Sequence, residues 1–324
     1  MRTTKYVLVT GGAGFLGSNL CKQLLKEEHV HVFCVDNLVT GNVRNLAEII
    51  EHPRFSFYEY DITSRTAPND LRFVWLHEIY HLACIASPPK YKAYSLETLA
   101  TSIQGTQNML ELARLTSAKL LFSSTSEIYG DPLVHPQPEE YFGNVNTIGE
   151  RSCYDEGKRV AETLIYEYRR LYGVDAKIVR IFNTYGPLMD IDDGRVITNF
   201  IKQVESGQPL MICGDGSQTR SFCFVDDMID GLYKMMASDQ KGPINIGNPY
   251  CEFTLNELVS KFETCYGKKL EVVYIDSTEN DPKQRKPDIS KAVKLLGWSP
   301  VVSLEEGIRK TVDYFTFHSK TAES

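Results

Sequence analysis

Short unbroken apolar runs alternate along the first half of the chain with longer stretches in which apolar residues recur at helical spacing. Tyr6-Val7-Leu8-Val9 lies within residues 5–9, which read as a buried parallel strand. Residues 15–27 read as a helix with Leu16, Leu20, Leu24 and Leu25 on its inner side. A second strand runs from Val30 to Val35 and ends at Asp36. A third runs from Phe55 to Tyr60 and ends at Asp61. Glu78–Leu82, Leu120–Ser123 and Lys177–Arg180 are further strands, separated by helices near 95–116 and 150–172. Alternation of this kind predicts an α/β fold built on a doubly wound parallel sheet. Such sheets bind ligands at the carboxyl edge of their strands, where the polar residue after each apolar run would lie.

Beyond about residue 182 the pattern is punctuated by Gly186-Pro187, Gly207, Pro209, Gly214-Asp215-Gly216 and Gly242-Pro243. Helices are expected at 194–206, 226–237, 254–266, 288–296 and 303–317. Asp288 can cap one, and Ser303 with Glu306 three residues on can cap another. Trp298 directly after Gly297 reads as a C-cap contact that anchors the chain. The expected organisation is a first domain over 1–182, with segments near 221–247 returning to it. A smaller C-terminal substrate-binding lobe over 183–324 is laid across the sheet edge.

The 324 residues are 42% hydrophobic and 24% charged, ordinary for a soluble globular protein. The net charge of -7 and the lack of a basic cluster argue against nucleic-acid binding. Eight cysteines, none in a Cys-x-x-Cys pair, give no support to a metal site and fit a reducing, cytoplasmic setting. The first apolar run is too short for a signal peptide or membrane span, so the fold is expected to begin at about residue 4, without a membrane partner.

Candidate chemistry begins in the turn after the first strand, Thr10-Gly11-Gly12-Ala13-Gly14-Phe15-Leu16-Gly17. It satisfies both Gly12-x-Gly14-x-x-Gly17 and Gly11-x-x-Gly14-x-x-Gly17. It follows a strand, opens a helix, and has Asp36 at the end of the next strand. In that context it predicts a Rossmann-type dinucleotide site. Glycine lets the backbone approach a pyrophosphate whose charge sits at a helix N-terminus. Asp36 would accept hydrogen bonds from ribose hydroxyls and repel a 2'-phosphate, which favours NAD over NADP. Asp61-Ile62 would border the adenine, with a plain strand-end turn as the rival reading.

Tyr154 and Lys158 stand four residues apart in a predicted helix and so share a face. A phenol titrates near 10, so service as a base at neutral pH needs roughly 4 kcal/mol of help, which a neighbouring ammonium would supply. An exposed helical pair is the plain alternative. Ser123-Ser124-Thr125-Ser126-Glu127, at a strand end between the glycine turn and the pair, favours function. Thr125 can hydrogen-bond a reacting oxygen, and Lys158 can also hold the nicotinamide ribose.

From end to end the chain resembles the extended short-chain dehydrogenase/reductase family, and within it the UDP-glucuronate decarboxylases (UDP-xylose synthases). The likeness rests on Tyr80-His81-Leu82-Ala83 with Ala86-Ser87-Pro88-Pro89, and on Thr125-Ser126-Glu127-Ile128-Tyr129-Gly130-Asp131-Pro132. It continues in Arg151-Ser152-Cys153-Tyr154-Asp155-Glu156-Gly157-Lys158-Arg159 and Arg180-Ile181-Phe182-Asn183-Thr184-Tyr185-Gly186-Pro187. Thr219-Arg220-Ser221-Phe222 and Arg285-Lys286-Pro287-Asp288 complete it. Ile85, Ser102, Thr147 and Glu150 depart from the usual residues of that pattern, at positions that shape the sugar loop.

The resemblance implies oxidation of a UDP-uronate at C4, loss of carbon dioxide from the 4-keto acid, and return of the hydride from NADH to give UDP-xylose. A UDP-uronate 4-epimerase or a dehydratase is the alternative. The implied catalytic residues are Tyr154, Lys158, Thr125, Glu127 and Arg285. Glu127 would favour carbon dioxide loss by repulsion and proton relay, and Arg285 would offset its charge. The implied cofactor residues are Gly11, Gly14, Phe15, Leu16, Gly17, Asp36, Asn37, Asp61, Ile62, Leu82, Ala83 and Thr101, with Tyr154 and Lys158. The UDP-sugar would meet Ser87, Pro88, Tyr91, Glu127, Asn183, Arg195, Asn199, Arg220 and Arg285. For Arg220 a pairing with Asp226 or Asp227 is the structural alternative. Relatives pair through two helices, so a homodimer is expected through apolar positions Leu99, Ile103, Met109, Leu110, Val160, Leu164, Ile165 and Tyr168.

Overall fold

A computed structural model describes residues 3–64, 75–276 and 284–322. Part of the charged stretch Asp281 to Asp288 therefore lies outside the described residues. The first half runs β1 (Lys5–Thr10), α1 (Phe15–Leu25), β2 (Val30–Asp36), β3 (Phe55–Glu59), β4 (Glu78–His81), α2 (Pro88–Ala93), α3 (Ser95–Ala100), α4 (Thr106–Thr116), β5 (Lys119–Thr125), α5 (Ser152–Tyr172) and β6 (Ala176–Ile181). The second half runs β7 (Thr184–Tyr185), α6 (Val196–Glu205), β8 (Leu210–Cys213), β9 (Thr219–Ser221), β10 (Cys223–Phe224), α7 (Val225–Ala237), β11 (Ile244–Ile246), β12 (Glu252–Thr254), α8 (Leu255–Tyr266), β13 (Val272–Ile275), α9 (Ser290–Leu296) and α10 (Leu304–Ala322).

Seven parallel strands form the main sheet in the order β11-β6-β5-β4-β1-β2-β3. The order reverses between β1 and β4, so the crevice of such a sheet opens beyond Thr10 and His81. Helices cover both faces, and β1 and β2 are largely buried as continuous apolar runs, as the sequence pattern predicts, while the edge strand β3 is mostly half-buried. The seventh strand, β11, is an addition: Ile244–Ile246 is only three residues long, too short for periodicity to mark. The small pairs β7–β10 and β9–β12 also escape the sequence pattern, whereas β8, the partner of β13, is the Leu210–Cys213 strand that the family resemblance implies. They are two to four residues each and owe their state to partners distant in the chain.

The helix expected over 95–116 is present but interrupted by a π turn at Thr101–Gly105. Gly105 allows the turn to approach Ile62, where an added Cβ would come within 2.7 Å of the Ile62 side chain. The apolar face assigned to a dimer is partly a correction. Met109, Leu110, Ile165 and Tyr168 are buried against Leu8, Ile79, Leu120 and Phe122 of the chain's own core. Helices α4 and α5 lie on the sheet, and these are the positions that face it. Leu99 and Leu164 are half-buried, while Ile103, Val160, Leu96 and Tyr166 remain exposed.

The C-terminal segment is stapled back onto the sheet layer. Gly297 adopts a positive φ of 58° at the end of α9. The Gly297 and Trp298 amides donate to the Val293 and Ala292 carbonyls, closing the helix end. Trp298 is fully buried, and its indole N–H donates to the Asp227 carbonyl at 3.0 Å. The Ser303 cap forms through the Glu306 amide, but the Glu306 carboxylate turns to Lys310, so the reciprocal half of the box is absent.

Candidate active site

One cavity of about 1670 Å³ runs from the glycine turn after β1 across the strand ends to α6, Arg220 and Arg285. At its first end the backbone is the binding surface. Gly14 caps α1 without any side-chain hydrogen bond, so the first amides of the helix point into the cavity as donors. A Cβ on Gly17 would come within 2.1 Å of the Gly11 carbonyl, and one on Gly11, at φ +70°, within 2.8 Å of Ala83. The turn can pack this closely against the β4 loop only with glycine. A backbone cradle of this shape fits a dinucleotide pyrophosphate.

Asp36 closes that end. Its carboxylate accepts the Ala13 and Leu38 amides at 3.0 and 2.9 Å and lies under Gly41, where a Cβ would strike it. Burial pushes its carboxyl above the ordinary value despite those amides. Phe15, Leu16, Asn37, Ile62, Leu82, Ala83 and Thr101 line the same cavity. Asp61 does not. Its oxygens hold Thr63 and the Asn37 amide, and those bonds keep it below the usual carboxylate range although burial opposes them. The strand-end turn is therefore what Asp61 builds here, and it reaches the cavity through Asn37.

Tyr154 and Lys158 sit in the middle, on the first turns of α5 against the end of β5. Both are buried and both line the cavity. The Lys158 ammonium donates to the Ser123 carbonyl at 2.6 Å and stands 4.6 Å over the Phe122 ring, and 5.9 Å from the Tyr154 ring centre. The expected stabilised phenolate is corrected here. Burial pushes the Tyr154 hydroxyl up, with the Cys84 thiol adding to it, and a hydrogen bond with Thr125 only partly offsets this. Burial lowers Lys158. Desolvation is the first cause at both groups, and it favours their neutral forms in the ligand-free chain. Tyr91 fixes the ring plane by stacking, with centres 5.3 Å apart and planes 8° apart.

Beneath the pair lies a buried polar frame that sequence reasoning missed. His81 bridges Thr10 at 2.8 Å and Thr106 at 3.0 Å, and burial drives its pKa down to about 3, so it is neutral. Glu162, one turn beyond Lys158, takes the Ser124 hydroxyl and a two-pronged Arg180. The only available signal was that Arg180 is a charged residue inside an apolar strand.

At the far end Glu127 is gripped by Arg285 and Arg151. Burial raises its pKa, but Arg285, Arg151 and Arg220 outweigh that and hold it at about 2. Arg285 is itself almost fully buried and donates to the Gly130 carbonyl at 2.7 Å and to Ser126 at 3.4 Å. Asp155 faces Arg151 at 4.0 Å. Burial, then repulsion from Glu127, push its pKa up to about 7. The expected offset of Glu127 by Arg285 is joined by a second guanidinium, that of Arg151, so the acid is one member of a three-residue cluster. Arg151 and Asp155 were not among the expected site residues. Their spacing of four on the helix that carries Tyr154 was the signal that could have found them.

The remaining expected residues line the same cavity. Ser87 donates to the Asp193 carbonyl at 2.7 Å, Pro88 opens α2, and Asn199 donates from α6 to Gly194 at 3.0 Å. Arg195 donates to the Ala86 carbonyl and pairs with Asp193. Asn183 and Arg220 stand on the connection after β6 and on β9. Asp227, the rival partner for Arg220, spends its two oxygens on the Val301 and Val302 amides.

Residues 7–247 match the model of the NAD dependent epimerase/dehydratase family. The chain is 53% identical over 302 residues to UDP-glucuronic acid decarboxylase 6 of Arabidopsis thaliana, covering 93% of this chain and 86% of that protein. It is 47% identical over 311 residues to UDP-glucuronic acid decarboxylase 1 of Xenopus tropicalis, covering 96% and 72%. Among solved structures it is similar to UDP-glucuronic acid 4-epimerase from Bacillus cereus in complex with UDP-glucuronic acid and NAD, with a TM-score of 0.87, 30% identity, and coverage of 97% and 99%. The cavity's glycine cradle, its Tyr154–Lys158 pair and these likenesses lead to one assignment: the chain belongs to the NAD dependent epimerase/dehydratase family.

Proposed function

We propose that the protein is an NAD-dependent UDP-glucuronate decarboxylase that forms UDP-xylose through a 4-keto sugar. The observation that carries this reading is Glu127 between two arginines in the same cavity as Tyr154 and Thr125. The identity of 53% to a decarboxylase, against 30% to an epimerase, favours it over the epimerase reading. NAD, when bound in the glycine cradle against Gly11, Gly14, Gly17 and Asp36, supplies a hydride acceptor for sugar C4 and positive charge in the cavity. As the phenolate, the form that the Lys158 ammonium favours, Tyr154 takes the C4 hydroxyl proton, aided by the Thr125 hydroxyl. The carboxylate of a 4-keto uronate lies beta to the ketone, so its C–C bond breaks with the electrons passing into an enolate. Tyr154, now a phenol, protonates that oxygen, while the Glu127–Arg285 ion pair steadies charge at the uronate end. C5 then takes a proton as the proton on the C4 oxygen passes back to Tyr154, and the hydride that NAD would hold would return to C4 while Tyr154 gives its proton to the C4 oxygen, restoring the hydroxyl and the phenolate.

The same reading assigns residues 1–182, with 221–247, to the NAD lobe and 183–324 to a UDP-sugar lobe in which Asn183, Arg195, Asn199 and Arg220 meet the nucleotide. It makes the protein a homodimer of a reducing cytoplasm. Free thiols at all eight cysteines and the exposed Leu96, Ile103, Val160 and Tyr166 support that. Incubation with UDP-glucuronate and NAD tests the chemistry: carbon dioxide and UDP-pentose should appear together without net NADH. Formation of UDP-galacturonate with no gas would identify an epimerase instead. Light scattering at micromolar concentration checks the dimer.

A further inference from the structure

The cluster around Glu127 has the charge of an anion site. Glu127 and two guanidiniums sum to a single positive charge, Asp155 beside Arg151 withdraws part of it, and Arg220 adds to the same field. The two guanidiniums differ in exposure. Arg285 is locked: its side chain is 2% exposed and is held by the Gly130 carbonyl and Ser126 as well as by Glu127. Arg151 lines the cavity with its side chain 22% exposed. It stands at the N-terminus of the 21-residue α5, three residues before Tyr154, so both side chains project from neighbouring positions of one helix face. In a uronate the C6 carboxylate is two carbon–carbon bonds from the C4 carbon whose hydroxyl Tyr154 serves. A sugar seated on Tyr154 therefore carries its carboxylate towards the first turn of α5. The helix N-terminus adds partial positive charge there.

Resting on the decarboxylase reading, we propose that Arg151 is the specificity-determining residue that takes the substrate's C6 carboxylate. The carboxylate exchanges with Glu127 on the guanidinium. Glu127 serves as its placeholder in the ligand-free chain, since both are carboxylates and the grip is the same. Asp155, 4.0 Å from the Arg151 Nε, keeps the guanidinium in register while the exchange takes place. Glu127 is then left on Arg285 beside a second negative charge, which is the repulsion that favours loss of carbon dioxide.

The test compares two ligands that differ by the carboxylate alone. In a Tyr154→Phe background, which blocks turnover, UDP-glucuronate and UDP-xylose are titrated into NAD-loaded protein by calorimetry. Arg151→Gln should weaken UDP-glucuronate about 30-fold and change UDP-xylose less than about threefold. Equal losses for both ligands, or no loss for either, overturn the proposal. If the Gln variant no longer binds NAD, Arg151→Lys takes its place. It keeps the charge and loses the two-pronged grip, so UDP-glucuronate should weaken about tenfold relative to UDP-xylose, and an unchanged ratio overturns the proposal. The functional reading fails separately, if the Tyr154-containing protein releases no carbon dioxide from UDP-glucuronate.

Discussion

The two ends of the cavity hold negative charge by opposite means. At the cofactor end the donors are backbone amides of one turn, and glycines at 11, 14 and 17 admit the ligand by lacking side chains. At the uronate end the donors are guanidiniums from residues 151 and 285, gathered on an acid from residue 127. The first end is rigid and close to complete before binding. The second is occupied by its own carboxylate and must exchange partners. A backbone site discriminates by shape, and a side-chain cluster by charge, so damage to the two ends should look different.

The largest effect is expected at the backbone end. Gly17→Ala places a methyl 2.1 Å from the Gly11 carbonyl, which backbone cannot yield without moving the turn. NAD affinity should fall beyond about 1000-fold and turnover with it, read by NAD titration. Retained NAD binding would show that the cradle is looser than its packing implies. Tyr154→Phe, between the two ends, should lower turnover by about 1000-fold while leaving NAD affinity within about twofold, which separates chemistry from binding. Glu127→Ala sharpens the contrast further. Turnover should drop about 100-fold, yet UDP-glucuronate should bind more tightly, because two guanidiniums lose their internal partner. A variant that decarboxylates at the original rate would remove Glu127 from the chemistry.

The smallest effect concerns stability against pH. Asp155 has its folded pKa raised from 3.8 to about 7, so its protonated form is the one the fold favours. Its contribution is complete below pH 3.8 and is lost as pH rises through about 7. Glu127 runs the other way: its pKa is lowered from 4.5 to about 2, so its contribution is present above pH 4.5 and lost as pH falls through about 2. Asp155→Asn should therefore raise the Tm at pH 8 and leave it nearly unchanged at pH 4. The ceiling is about 4 kcal/mol, with the opposing pull of Arg151 already included in the shift. A Tm gain that is equal at both pH values would assign the effect to packing instead.

The cofactor end was legible before any coordinates, because every part of it is local. A strand, three glycines, a helix and an acid at the next strand end form one continuous stretch, and each glycine has its reason in a contact within that stretch or with the adjacent β4 loop. Asp61 marks where local pattern stops. A strand-end acid reads the same whether it faces a ligand or its own turn, and its hydrogen bonds with Thr63 belong to the turn. Met109, Leu110, Ile165 and Tyr168 show another. Helical spacing marks an apolar face without saying whether the sheet or a second copy covers it, and the sheet does.

Residue order by itself determined the alternation of strand and helix, the glycine cradle and the Tyr154–Lys158 spacing, since each depends on backbone geometry and neighbours a few positions away. Tertiary structure alone decided the ionisation of the site. Whether Tyr154 is a phenol, Glu127 a carboxylate or Asp155 an acid depends on burial and on charges brought from up to 158 residues away, across the fold, between Glu127 and Arg285. Coulomb forces and desolvation act through space, and no spacing along the chain encodes that distance.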